Sequence, residues 1–183
     1  MTYEIDIAGM KRDLPICEIN ENLSIGAFVI FGDVELTVHC AKKLLELAPE
    51  YDYLIAPEAK AIPLVYEMAR QSGNNKYVIA RKKAKAYMTG VFEVEVKSIT
   101  TMGVQKLIID QTDADLIKGK RIVIVDDVIS TGESLAAVEK LVTAAGGNIV
   151  AKMAVLAEGE ANDRDDITVL APLPLFNHDG TVK

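Results

Sequence analysis

Asp126 and Asp127 stand between a run of branched apolar residues, Ile122–Val125, and a turn of small hydroxylated ones, Ile129-Ser130-Thr131-Gly132-Glu133-Ser134. A helical pattern opens at Leu135. A turn at a helix N-terminus offers unpaired N–H groups and the positive end of the helix dipole, which together favour a phosphate. Ser130, Thr131 and Ser134 add hydroxyl donors, and Gly132 lets the backbone come close to the anion. The two carboxylates would repel that phosphate, so they must serve another group about one sugar away. Carboxylates accept hydrogen bonds from neighbouring hydroxyls such as the 2′ and 3′ groups of a ribose. The segment therefore reads as a site for ribose 5-phosphate.

The order of these features (apolar strand, Asp126-Asp127, two apolar residues, a small residue, Thr131-Gly132, any residue, Ser134) resembles the phosphoribosyl pyrophosphate (PRPP) signature of the type I phosphoribosyltransferases. The resemblance implies transfer of ribose 5-phosphate from PRPP to a nucleobase nitrogen, with Mg²⁺ held mainly by substrate and water. It places Asp126, Asp127, Arg81 and Lys82 among the catalytic groups. A metal contact from the two aspartates would run through water.

A PRPP enzyme must also hold pyrophosphate, which an acidic chain can do only with locally placed cations. Arg81, Lys82, Lys83 and Lys85 follow one short apolar strand, and Lys60 follows another. Pro57-Glu58-Ala59-Lys60-Ala61-Ile62-Pro63 resembles the family's pyrophosphate loop, where a non-proline cis peptide is common. Arg81-Lys82-Lys83-Ala84-Lys85 resembles the Arg-Lys-x-Gly-Lys run of the adenine enzymes. Ala61 and Ala84 stand where that pattern usually has glycine. A hood over the nucleobase would come from residues 1–33, chiefly Gly26–Asp33, and from residues 171–183 with Pro172–Phe176. Phe28, Val29, Phe176 and Glu158 are the candidates to face the base. His39 and His178 are possible general bases that the reaction does not need.

The elements that position these residues follow from periodicity. Asp33 can cap a helix over Val34–Leu47, with Val34, Val38, Ala41, Leu44, Leu45 and Ala48 on one face. Short apolar strands are expected at Tyr53–Ala56, Tyr77–Ala80 and Ile149–Leu156, with a helix from about Pro63 to Gln71. Tyr3–Ile7 alternates as an edge strand would. Phe92, Val94 and Val96 alternate with charged residues, and Lys106–Asp110 reads as their partner across Thr100–Gly103. Strand and helix in alternation predict an α/β fold, a parallel twisted sheet with helices on both faces. Ligands of such sheets sit at the carboxyl ends of the strands, where Pro57, Arg81 and Asp126 lie. The segment from about Ala84 to Val104 would be a β-ribbon lid.

With 183 residues and a net charge of −7, the chain reads as one acidic domain without a general nucleic-acid or membrane surface. No apolar run approaches a membrane span, and the first residues lack the pattern of a secretory signal. Two cysteines, Cys17 and Cys40, suit a cytoplasmic protein with reduced thiols. The resemblance adds a homodimer. Adenine leads as the nucleobase, with xanthine or hypoxanthine next. Ser130 stands where hypoxanthine–guanine enzymes usually carry Asp, and Thr101 near where adenine enzymes usually carry Glu. Ala80-Arg81-Lys82 and Val96–Ser98 also look like the xanthine enzymes. The alternative from another class is a non-catalytic PRPP-sensing regulator on the same fold.

Overall fold

The computed structural model describes residues 1–97 and 104–183. In chain order they form β1 (Thr2–Ile7), β2 (Met10–Asn20), β3 (Leu23–Gly26), α1 (Val34–Leu47), β4 (Tyr53–Pro57), α2 (Ile62–Ser72), β5 (Val78–Ala80), β6 (Val91–Lys97), β7 (Val104–Asp110), α3 (Gln111–Ile117), β8 (Arg121–Ile129), α4 (Glu133–Ala144), β9 (Asn148–Glu158), a 3-10 turn (Gly159–Asp163), β10 (Thr168–Leu173) and β11 (Leu175–Phe176). The expected turn Thr100–Gly103, with Thr101 and Ser98, lies outside the described residues.

Strands β10, β9, β8, β4 and β5 pair in that order, all parallel. Both faces are buried, because the inner strands are nearly continuous apolar runs. Leu54, Ala56, Val123 and Val125 point into a core shared with α1 and α2. Ile55, Ile122 and Ile124 point into the opposite core, closed by α3 and α4. Each buried Leu, Ile or Val among them contributes about 1.5–3 kcal/mol by leaving water, so this sandwich is the rigid frame of the molecule. From β4 the chain moves outward to β5. From β8 it moves the other way, to β9 and β10. The crevice at the carboxyl ends of β4 and β8 is therefore the switch point of the sheet.

Asp33 caps α1 as the sequence indicates, its carboxylate accepting from the Leu36 N–H at 3.0 Å. The buried stripe differs from the expected one. Leu36, Thr37, Cys40, Ala41 and Leu44 face the core, while Val34 and Val38 are 74% and 41% exposed. Two overlapping stripes fit this helix, and the one that reaches α2 and the sheet is shifted by part of a turn.

The N-terminal region holds more structure than one edge strand. β1, β2, β3 and β11 form an antiparallel sheet that roofs the crevice. Pro172 and Leu173 belong to β10 of the main sheet, so from the C-terminal segment the roof takes Leu175 and Phe176. Phe176 is fully buried and meets Tyr3 edge-to-face at 5.1 Å, which makes it a core aromatic rather than a base-facing one. Arg12 on β2 ties the roof to the frame. Its guanidinium donates to Asp33 at 2.7 Å and to Glu35 at 2.8 Å, and holds the Asp33 carboxyl below its ordinary range.

β6 and β7 pair antiparallel as expected, with Phe92 opposite Ile109 and Val94 opposite Leu107. The base of this ribbon is not loose. Leu107, Ile108 and Ile109 are buried, and Arg81 exchanges two backbone hydrogen bonds of 2.8 Å with Ile108. Ala84–Gly90, by contrast, lies outside any strand or helix and is largely exposed. The apolar residues of β7 fix one half of the expected lid to the core and leave the other half without such an anchor.

Candidate active site

A cavity of about 460 Å³ opens at the switch point. Its floor is the end of β8, Asp126 and Asp127, continued by Ser130 and Ser134. One wall is the loop after β4, Pro57 to Lys60, with Lys82 beyond it. The other end is apolar, formed by Ala27, Phe28, Val29 and Leu173, with Glu158 at its edge. The strap 27–32 that carries Phe28 and Val29 is held at both ends. Asp33 fixes one end through Arg12. At the other, a Cβ on Gly26 would stand 3.2 Å from Leu173 Cδ1, so a side chain there would press on the cavity wall.

Both aspartates are buried. Asp126 accepts from the Asp127 N–H at 2.8 Å. Burial first, and then the neighbouring Asp127, push the Asp126 carboxyl well above the ordinary aspartate range. Asp127 is asymmetric in another way. Its Oδ2 is buried and has no hydrogen-bond partner among the described residues, with Lys60 Nζ at 3.9 Å, too far for a hydrogen bond. A buried acceptor left unpaired costs about 1–3 kcal/mol, so a donor from a ligand in the cavity would find an unused partner here.

The turn after β8 wraps a second hollow of about 100 Å³, lined by Asp126, Ile129, Ser130, Thr131, Gly132 and Ser134 among others. Gly132 sits at φ 78°, in the left-handed region that glycine alone adopts without penalty, and begins α4. Asp33 and Asp110 cap α1 and α3 with their side chains, whereas α4 has no side-chain cap. The Glu133 N–H donates to Thr131 Oγ1 at 3.4 Å, and the positive end of the helix dipole at this turn favours an anion. Glu133, on the helix side of this turn, is the first residue of α4.

Residues 38–172 match the phosphoribosyl transferase domain family. The chain belongs to that family. Adenine phosphoribosyltransferase of Thermotoga maritima is 34% identical over 85% of this chain and 87% of its own length. Adenine phosphoribosyltransferase of Petrotoga mobilis is 29% identical over 82% and 88%. The solved adenine phosphoribosyltransferase of Thermoanaerobacter pseudethanolicus shares the fold, with a TM-score of 0.66 at 23% identity over 94% of this chain and 95% of that one.

This phosphoribosyl transferase domain gathers most of the residues singled out from sequence, but not all. Asp126, Asp127, Glu58, Ala59, Lys60, Lys82, Phe28, Val29 and Glu158 line the larger cavity, and Ile129 to Gly132 line the smaller one. Arg81, Lys83, Lys85 and Glu133 line neither. Arg81 turns toward Tyr87, 5.8 Å from the ring centre, and toward Glu58 at 3.4 Å. Glu58 also accepts from the Lys82 N–H at 3.3 Å, so its carboxylate organises the basic run where β4 and β5 end. The Glu58–Ala59 peptide is cis, within the loop where the resemblance placed one. Ala61 begins α2 at φ −76°, and Ala84 is not among the residues at positive φ, so neither site demands the glycine of the family pattern. His39 meets the Ala8 carbonyl at 3.0 Å, and His178 stands near Glu18; neither lines the cavity. Ile25, Gly26, Ala27 and Leu173 line the apolar end without any sequence signal beyond their place in the expected hood.

Proposed function

We propose that this chain is a purine phosphoribosyltransferase that joins ribose 5-phosphate from PRPP to adenine, releasing pyrophosphate. The observation that carries the reading is the buried Asp127 oxygen, without a hydrogen-bond partner among the described residues, beside Asp126 on the strand that runs into the turn starting α4. The names of the relatives from Thermotoga and Petrotoga support adenine as the base. Both are enzymes, which favours catalysis over the PRPP-sensing regulator.

In this reading the 5-phosphate occupies the turn Ile129–Ser134, and Asp126 and Asp127 accept from the ribose 2′ and 3′ hydroxyls. The base nitrogen forms its bond to the anomeric carbon as the bond to pyrophosphate oxygen breaks, and the base N–H proton leaves to solvent. Positive charge builds on the ribose at that moment. The two carboxylates lie on the side where they stabilise it, and Lys60 and Lys82 stabilise the departing pyrophosphate. Phe28 and Val29 exclude water from the base, and Glu158 reads its edge.

The buried carboxylate pair supplies hard oxygen donors suited to Mg²⁺. Among the described residues no three acidic, histidine or cysteine side chains cluster at metal-binding spacing, so the ion would share its ligands with substrate. When bound, it would neutralise pyrophosphate charge. A homodimer in the cytoplasm belongs to the same reading. Exposed Val29, Phe31, Val34 and Val38 offer apolar surface that such a dimer could cover, and light scattering would measure its mass.

Pyrophosphate release across adenine, hypoxanthine, guanine and xanthine, with PRPP and Mg²⁺, tests the activity. Adenine should give the highest kcat/KM. PRPP binding without turnover on any base, together with specific DNA binding, would move the chain to the regulator class. A second expectation concerns Ala84–Gly90, which lacks the core anchor of the ribbon base. Low burial implies a small opening free energy. Its amides should exchange rapidly in the free protein and become protected once PRPP and Mg²⁺ bind, with Lys83 or Lys85 brought toward pyrophosphate. Protection already present without ligand would make the segment fixed structure rather than a lid.

A further inference from the structure

The turn Ser130–Ser134 contains no lysine or arginine, yet the phosphate assigned to it is a dianion at neutral pH. Helix dipole and hydroxyl donors supply only about half a positive charge between them and the backbone. A cation stands just outside. Arg164 lies between the 3-10 turn and β10, and a Cβ on Gly132 would be 2.7 Å from its Nη1. The guanidinium is thus packed against the bare face of the one glycine in the turn.

Its direction is set by a fork. Nε donates to Asp166 Oδ1 at 2.9 Å and Nη2 to Oδ2 at 2.8 Å, which leaves Nη1 facing Gly132. Asp166 also binds Lys152 on β9, and Lys152 reaches Glu139 on α4 at 3.3 Å. The line of ion pairs begins on α4, crosses β9 and returns to the turn that starts α4. Arg164, and then Lys152, hold the Asp166 carboxyl below its usual range, which favours the charged form of the fork. Arg164 lines neither cavity, so it acts on the phosphate through the turn rather than by touching it.

We propose that Arg164 is a positioning residue for the 5-phosphate: held by Asp166, it fixes Gly132 in place and supplies the positive charge the turn lacks. The inference rests on the 5-phosphate reading of that turn. It also accounts for glycine at position 132 a second time, since any side chain there would displace the guanidinium as well as strain the backbone.

The test is calorimetric titration of ribose 5-phosphate, and separately of pyrophosphate with Mg²⁺, into wild type, R164M and R164K. R164M keeps the bulk and loses the charge. Its ribose 5-phosphate affinity should fall about tenfold, the scale of one partly screened charge contact, while pyrophosphate affinity is unchanged. KM for PRPP should rise with little change in kcat. R164K should recover part of the loss, because an ammonium restores charge without the fork. Equal affinity of R164M and wild type for ribose 5-phosphate overturns the inference, as does an equal loss for both ligands, which would mark a merely structural role. If R164M does not fold, D166N decides. It keeps the cation but frees its direction, so it should weaken ribose 5-phosphate alone, and unchanged affinity again overturns the inference. Failure of wild type to bind ribose 5-phosphate at all would instead defeat the assignment of the turn.

Discussion

Asp126→Asn is expected to lose at least about 100-fold in kcat while making the protein more stable than wild type at pH values above the raised pKa of the Asp126 carboxyl. The asparagine keeps an oxygen for the Asp127 N–H, which now donates to Asp126 at 2.8 Å, so local geometry survives. What disappears is a charge that the site disfavours. Burial and Asp127 raise the Asp126 pKa above the 3.8 of an unperturbed aspartate. The folded state therefore favours the protonated form, and the stabilisation from that form is complete below the ordinary value and lost as pH rises through the raised one. Above the raised value wild type has lost it; the variant has nothing to lose. A gain on the order of 1 kcal/mol would lift Tm by about 2–4 °C for a chain of this size. The gap should close as pH falls toward the ordinary carboxylate range, where wild type also carries a proton. Thermal melts across pH, beside steady-state kinetics, check both halves. A variant that keeps near-normal turnover, or that shows no gain in Tm over wild type as pH rises, contradicts the assignment. Asp127→Asn should lose turnover as well, since its free Oδ2 is the acceptor awaiting a ligand donor.

The second large effect separates the cations by where their side chains point. Lys60→Ala should lower kcat/KM for PRPP roughly 10- to 100-fold, the range for removing one charge from a contact that is partly desolvated. Its ammonium lines the cavity and is 3.9 Å from Asp127. Arg81→Ala should lower it less, and by another route. Arg81 is paired with Glu58 at 3.4 Å, and Glu58 lines the cavity. Without the arginine, an uncompensated carboxylate faces the pyrophosphate. Adding Glu58→Gln should therefore restore much of the Arg81→Ala loss and none of the Lys60→Ala loss. Kinetics on the singles and the two doubles would show it. Equal rescue of both, or of neither, would mean that Arg81 does not act through Glu58.

The frame was legible because its strands are short apolar runs that a buried parallel sheet requires, and because the turn after β8 concentrates glycine and hydroxyls. The roof was mostly hidden. β2 is exposed along most of its length and contains Asp13, Pro15 and Glu18, so alternation is faint where only one side chain in several is buried. α3 is a seven-residue helix with two internal aspartates, too short for a helical period to show. The sequence reading places residues 171–173, the end of β10, in the hood, because sequence does not say which sheet a terminal strand joins. At the site, a strand end locates a residue but not its side-chain direction. That is why Arg81 and Lys82, adjacent in sequence, divide between the back of the loop and the cavity. Arg164 gave no signal, since its importance lies in facing a glycine 32 positions earlier.

The roof joins β3 to β11, residues about 150 positions apart, with Ser24 paired to Phe176. Such a pairing cannot form on a nascent chain until β10 has been made, and the loop it closes is nearly the whole protein. Strands β4, β5, β8 and β9 of the frame and the turn after β8 can be in place before then. During synthesis, the part that would hold the sugar phosphate is thus able to form before the apolar chamber beside it is closed. Ligand capture at the frame before the roof docks would bind folded over unfolded chain and hold the nearly finished protein in its native arrangement. Sufficient PRPP during translation would then raise the yield of soluble protein, an effect independent of its consumption as a reactant.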